Sequence, residues 1–456
     1  MIPDPRRARS RRGARHGSGG RRFAGTTWAP ILGLLGALLL PARAARAGGY
    51  EIPHQAAASA ARGGTGTGRA GDPAAAWYCP AALADGGGLR LQVGVAGAAS
   101  AIDARSNLDA PDAPWSASSV HGPSVLPQLH ASYAHHRWAL SVSFGLPYAS
   151  RVHWAADWPH RFDAVRSELR FFRITPAFAY RFDRLRVSAG LHLNVGRIES
   201  FRATQHIVEE GSVQLRLGGV GLGVDLSAHY VFSDALSLGL SYKSRAAMTL
   251  RGDADFEVPE VFLARFPDQQ ASTEWTLPDR LAFGISARLR EDLELLADVS
   301  LTFFSVHERT VIDFEAELTA DSVIVNAWRD SVNLRIGFEW QAHRRFALRA
   351  GLSIDGLLGP VVPDERLSPS APDATRIGLA LGAGVPLVEG LELDLFYEHL
   401  RLLERSSTSA DAPLATYLGR AHLFGLSLSL SLEAVASSSP DAEAGRGPSE
   451  PGSNPG

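Results

Sequence analysis

From residue 87 onward the chain alternates apolar and polar positions with a period of two. "LRLQVGV" places Leu89, Leu91, Val93 and Val95 on one face, and "LSLGLSY" does the same with Leu236, Leu238, Leu240 and Tyr242. "LELDLFY" repeats the pattern with Leu391, Leu393, Leu395 and Tyr397, and "NLRIGFEW", "FALRAGLSI" and "FGLSLSLSL" continue it. Successive side chains of a strand point to opposite faces, so this pattern belongs to strands with one apolar face. It predicts fourteen strands, near 87–101, 123–135, 137–148, 166–181, 185–200, 211–231, 235–252, 273–289, 292–308, 327–342, 344–357, 373–387, 390–404 and 416–433.

A soluble sandwich would alternate too, and the spacing of the strands decides between them. Tight polar turns fall near 135–137, 182–184, 232–234, 290–292, 342–345 and 388–390. Longer polar or Pro-rich loops fall at 102–123, 201–210, 254–271, 310–326, 358–373 and 402–415. Long strands, an even count, short turns at one rim and long loops at the other describe an antiparallel transmembrane β-barrel of the outer membrane. Closure is what lets a sheet sit in lipid without unpaired edges. Trp138, Tyr148, Trp154, Trp275, Phe303, Trp328 and Trp340 stand near strand ends, where interface girdles or ordinary core packing would place them.

The ends of the chain read differently. Residues 1–47 hold an arginine-rich stretch, the apolar run "ILGLLGALLL" and "PARAARA", which ends in an A-x-A pattern. That is the order of an export signal, with cleavage after Ala47 or Ala44. Its apolar run is too short for a spanning helix, which needs about 20 residues. Residues 48–86 are rich in Ala, Gly, Thr and Pro and do not alternate, so they form a compact segment ahead of the barrel at 87–433. Residues 434–456 lack aromatics and large aliphatics except Val435 and are expected to form a disordered polar tail.

Charge narrows the partners. Beyond residue 47 the chain carries 35 basic and 47 acidic residues, a net of −12. That balance argues against a nucleic-acid partner, which needs a basic face. The single cysteine, Cys79, allows no internal disulfide and reads as a small buried hydrophobe. No Cys/His cluster has metal-ligand spacing. No G-x-S-x-G or H-E-x-x-H motif points to a catalytic residue, and His135-His136 fall in a turn. Gly66-Thr67-Gly68-Arg69-Ala70-Gly71 is a literal G-x-G-x-x-G, but no strand precedes it, and Asp72-Pro73 and Pro80 leave no room for a crossover helix. Its glycines therefore read as a sharply turned segment needing positive φ and close backbone contacts. Gly145-Leu146-Pro147 ends the third strand. It reads either as a strand end or as a kink that opens a gap in the wall.

The segment "GGYEIPHQAAASAARGGTGTGRAGDPAAAWYCPAALA" resembles the opening of the FadL family of outer-membrane transporters for long-chain fatty acids and other hydrophobic compounds. It has an aromatic after glycine, a Gln-Ala step, a glycine-rich stretch, and an acidic residue before an aromatic-Asn-Pro-Ala element. That element is Tyr78-Cys79-Pro80-Ala81 here, with Cys79 replacing the usual Asn. "VSFGLPYASRVHW", "TEWTLPDRLAFGISARLREDLELLADVSLTFFS" and "NAWRDSVNLRIGFEWQAHRRFALRAGLSID" are similar to later segments of the family, and the likeness covers about 48–433. The polar tail after Leu432 departs from it. The resemblance implies a 14-stranded barrel with residues 48–86 folded into the lumen as a hatch. Gly66, Gly68, Gly71, Asp72, Tyr78, Cys79, Pro80 and Ala81 form the hatch motif. It implies a monomer that takes up a fatty acid or aromatic hydrocarbon passively, with no cofactor. It also implies that the ligand binds in the lumen near the start of the hatch, that the hatch rearranges, and that the ligand leaves sideways into outer-membrane lipid through a gap at Gly145 and Pro147. Two other classes stand beside this one. A structural or adhesin-like barrel would use its long loops, and a barrel lipid hydrolase would need a Ser-His contact on the wall.

Overall fold

The computed structural model describes residues 49–107, 114–120, 124–207, 209–408 and 413–432. The expected export signal at 1–47 and tail at 434–456 lie outside these. The alternating stretches form fourteen antiparallel barrel strands: β1 Gly88–Ser106, β2 Ser124–His135, β3 Trp138–His153, β4 Arg166–Phe182, β5 Leu185–Gln205, β6 Glu210–Ser233, β7 Leu236–Lys243 continuing as Ala246–Glu257, β8 Gln269–Leu277 continuing as Arg280–Arg290, β9 Leu293–Thr302, β10 Ser331–His343, β11 Phe346–Asp355, β12 Arg376–Val388, β13 Leu391–Ser406 and β14 Ala415–Leu432. Each pairs with its sequence neighbour, and β1 pairs with β14 from Leu89↔Leu432 to Ser106↔Ala415, which closes the ring.

The two faces of the wall invert the order of a soluble protein. Outward Val220, Leu222, Leu379 and Leu381 are 60–69% exposed, whereas inward His130, Asn194, Asp225 and Ser427 are fully buried. Apolar outside and polar inside is the distribution that lipid demands. Exposed aromatics cluster beside the short turns: Tyr133, Phe182, Tyr230, Phe232, Trp340 and Phe346. Three aromatics at strand ends do not join this girdle. Tyr148, Trp154 and Trp275 turn inward and are nearly buried.

Several strands run beyond their expected ends on the long-loop side. β5 reaches Gln205 and β7 reaches Glu257. There the expected loop at 310–326 holds part of a small hairpin, Arg309–Phe314 paired with Ser322–Val325. β7 and β8 each break once at the same level, at Ser244-Arg245 and Pro278-Asp279. The Asp279 carboxylate accepts the Arg245 N–H at 2.9 Å and the Tyr242 hydroxyl at 2.7 Å across that break.

Residues 49–86 fold as α1 (Ala57–Ala61), α2 (Ala75–Tyr78) and a 3₁₀ turn at Pro80–Asp85. Alanines dominate both helices and are buried all round, as helices enclosed on every side must be. α1 packs on β11, β12, β13 and β14, and the 3₁₀ turn packs on β2 through β6. A segment that meets strands on opposite sides of a closed ring lies within it. Of its residues only Gly71 is exposed.

Candidate functional site

The G-x-G-x-x-G loop does hold a carboxyl group, but one supplied by the barrel wall. The Asp298 carboxylate on β9 accepts the N–H groups of Gly66 and Thr67 at 3.0 and 2.9 Å. Gly68 lies so close to β8 that a Cβ there would sit 2.7 Å from the backbone of Gly284 and Ile285. Gly71 has φ +87°, which favours glycine, while Gly66 is set by approach to the Tyr78 ring. The Tyr78 hydroxyl donates to the Pro53 carbonyl at 2.8 Å and accepts the Gln55 N–H at 3.1 Å. Pro80 opens the 3₁₀ turn, and the Ala81 N–H donates to Ser227 Oγ at 3.0 Å. Cys79 is fully buried, with Sγ 3.6 Å from the Ala228 carbonyl. Burial pushes its thiol up to about 11, so it is protonated at neutral pH.

Asp72 anchors a charged network that residue spacing could not reveal. Its carboxylate accepts Arg62 at 3.1 Å and caps the Ala74 N–H. Burial pushes its carboxyl up, but Arg62 and Arg69 outweigh that and hold it below the ordinary value. Arg62, Arg69 and Arg349 all converge on Glu339 of β10, at 2.6, 2.7 and 2.6 Å. Glu294 and Asp394 flank the cluster from β9 and β13. For Glu339, Arg349, Glu294 and Asp394 the only sequence signal was a charge at an inward strand position, whereas Asp72 belongs to the hatch motif.

Gly145 and Pro147 lie where the wall is interrupted. Pairing of β2 with β3 stops at Leu129↔Phe144. On the other side, β3 carries one extra residue against β4 between Gly145↔Arg173 and Tyr148↔Phe171, a β-bulge. The N-terminal segment takes over the edge that β2 leaves unpaired. Ile52 N–H donates to the Pro147 carbonyl at 2.8 Å, and Ala149 N–H donates to the Tyr50 carbonyl at 2.9 Å. The Gln55 amide donates to the Leu146 carbonyl and accepts its N–H, at 2.9 and 3.2 Å. A Cβ at Gly145 would meet Gln55 Oε1 at 2.1 Å, so a larger residue here would displace the Gln55 amide from Leu146.

Behind the interruption lies a cavity of about 20 Å³ lined by Glu51, Tyr148, Arg173, Lys243 and Arg280. It has room for about one water. Arg280 pairs with Glu51 at 2.8 Å, and Lys243 pairs with Asp225. Arg173, 2% exposed, donates from Nε to Asn194 at 2.7 Å, while its buried Nη2 has no hydrogen-bond partner among the described residues. Toward the long-loop rim, Tyr50 is packed among Tyr148, Trp275, Phe304 and Trp328. Its hydroxyl stands 2.8 Å from His307 Nε2. Burial pushes the His307 imidazole down to about 3, so it is neutral.

A family model described as outer membrane protein transport protein (OMPP1/FadL/TodX) matches residues 38–431. Among solved structures, a FadL homologue from Pseudomonas aeruginosa superposes with a TM-score of 0.73 at 18% identity, covering 84% of this chain and 99% of that one. The Pseudomonas putida toluene transporter TodX gives 0.67 at 16%, covering 84% and 99%. The Ralstonia pickettii toluene transporter TbuX gives 0.63 at 17%, covering 82% and 98%. At such identities these structures establish the fold. A Neisseria meningitidis serogroup B protein, named as a candidate outer membrane protein, is 23% identical over 223 residues, which span 45% of this chain and 47% of that protein.

Proposed function

Because the chain belongs to the OMPP1/FadL/TodX family of outer membrane transport proteins, we propose that it carries hydrophobic small molecules, long-chain fatty acids above all, passively across the outer membrane and releases them sideways through its wall. The observation that carries this reading is the interruption at Gly145–Tyr148. There β3 is held by the N-terminal segment in place of its neighbouring strand. A strand edge bonded to its neighbour stays shut, whereas one bonded to a movable segment opens when that segment leaves.

The cavity behind the interruption is too small for a hydrocarbon, so in this reading the structure is a closed state. Residues 49–55 withdraw, and the Tyr50 ring vacates an aromatic site. An apolar ligand entering it gains about 0.8 kcal/mol per buried CH₂. The same gain is available in bilayer lipid beyond the wall, so passage needs no energy source. Arg173, whose buried Nη2 has no hydrogen-bond partner among the described residues, favours a carboxylated ligand over the uncharged aromatics that TodX and TbuX are named for. Residues 56–86, tied to the wall by Asp298 and Glu339, act as a fixed plug that keeps the lumen from becoming an aqueous pore.

Deleting Pro147 tests the route. Removing one residue lets β3 pair regularly with β4, and β2 can then close the gap. The expected result is loss of labelled fatty-acid uptake into proteoliposomes with the barrel still folded. Unchanged uptake by a folded variant refutes lateral release here.

A further inference from the structure

On the outer wall, far from the lumen, β13 and β14 place Arg401 directly opposite Arg420. One rung nearer the membrane centre, His399 faces His422, whose Nδ1 stands 2.8 Å from the Tyr397 hydroxyl. These residues face outward, because alternation turns their neighbours Leu400, Ala421 and Leu423 onto the buried α1 side. Both arginines are exposed. Neither makes an ion pair with a described residue. The nearby acids are not paired with them: Asp103, on the adjacent rung of β1, accepts the Ser118 hydroxyl at 2.5 Å, and Glu404 of β13 pairs with Arg105 at 2.9 Å. The strands on either side offer only Ile377 and Ala101 beside the pair.

Like charges directly opposite on a sheet repel, so this arrangement calls for an anion between them. The height of the pair says where that anion comes from. Arg401 stands ten residues above Leu391 at the short-turn rim. At about 3.3 Å per residue and about 40° of tilt, that is about 25 Å, the height of the apolar band of such a barrel. The guanidinium pair therefore sits where hydrocarbon gives way to headgroups on the long-loop side, the outer leaflet.

We propose that the outer wall at Arg401 and Arg420 binds the phosphate of an outer-leaflet lipid headgroup. Two planar guanidiniums can each donate two N–H bonds to one phosphate, which neutralises both. His399 and His422 offer ring nitrogens just below it, and the Leu379 and Leu381 surface lies along the acyl chains. The site rests on the outer-membrane placement of the barrel and not on what the barrel carries.

The test is native mass spectrometry of the full-length protein in detergent, titrated with diphosphoryl lipid A or with the same lipid stripped of phosphate. The wild type should prefer the phosphorylated lipid by about 30-fold, from two basic residues at a membrane surface. Arg401→Gln/Arg420→Gln should lose that preference, while Arg401→Lys/Arg420→Lys keeps part of it. Arg345→Gln at the opposite rim should leave it intact. Heat-modifiable gel mobility confirms that each variant is folded. Equal retention of the two lipids by the wild type, an undiminished preference in the Gln variant, or loss of preference in Arg345→Gln overturns the proposal. So does displacement of the lipid by equimolar inorganic phosphate, which would make free phosphate the ligand.

Discussion

Glu339→Gln is the most telling perturbation of the plug, because one carboxylate holds three arginines. Arg62 is 1% exposed, and Glu339 accepts it at 2.6 Å, with Arg69 and Arg349 alongside. Removing one partner of a buried ion pair costs about 3–5 kcal/mol, because a charge is left without compensation. The low end applies here. Arg62 keeps Asp72, Arg69 keeps Glu294, and Arg349 keeps Asp394. A loss of about 3 kcal/mol in the free energy of local opening lowers amide protection on the order of 100-fold. Hydrogen exchange with peptide-level readout should find that drop in residues 57–86, with the strands of the wall unchanged. Two results would refute the reasoning. Unchanged exchange in the plug would mean that Asp298 and packing hold it without the arginines. An equal drop across β9 to β11 would mean that Glu339 braces the barrel and not the plug.

Three further outcomes follow from the same geometry. Arg173→Gln should weaken binding of a long-chain fatty acid by about 10- to 100-fold, the range of a charged hydrogen bond, and leave its methyl ester unaffected; calorimetry on both ligands checks this, and equal losses refute a carboxylate role. Cys79, buried and with its thiol pushed up to about 11, should react slowly with iodoacetamide at pH 8, and Glu339→Gln should accelerate labelling by the same factor as plug exchange. His307 is held well below its ordinary value of 6.5, at about 3, so the folded state favours the neutral ring. The stability it contributes is complete above pH 6.5 and is lost as pH falls toward 3. The N-terminal segment that carries Tyr50 should therefore loosen across that window, read by fluorescence of Trp275 and Trp328, and His307→Gln should flatten the profile.

Period-two alternation and the placing of turns settle the architecture at the level of sequence. They are local properties, and a strand with one apolar face has few ways to bury its edges in lipid. Strand number was legible in this way, whereas the residues around Gly145 read either as a strand end or as a kink. Tertiary structure alone decided the rest. Glu339 and Arg62 lie far apart in sequence, and only the packing of residues 49–86 inside the closed ring brings them together. Gln55 can stand in for β2 against Leu146 only because the plug enters beside that strand. The inward turn of Tyr148 and Trp275, residues of the kind that make interface girdles, was likewise set by the neighbour each met, Tyr50. Alternation tells which face a side chain takes, but not what waits on that face, because that is set by chain closure at long range.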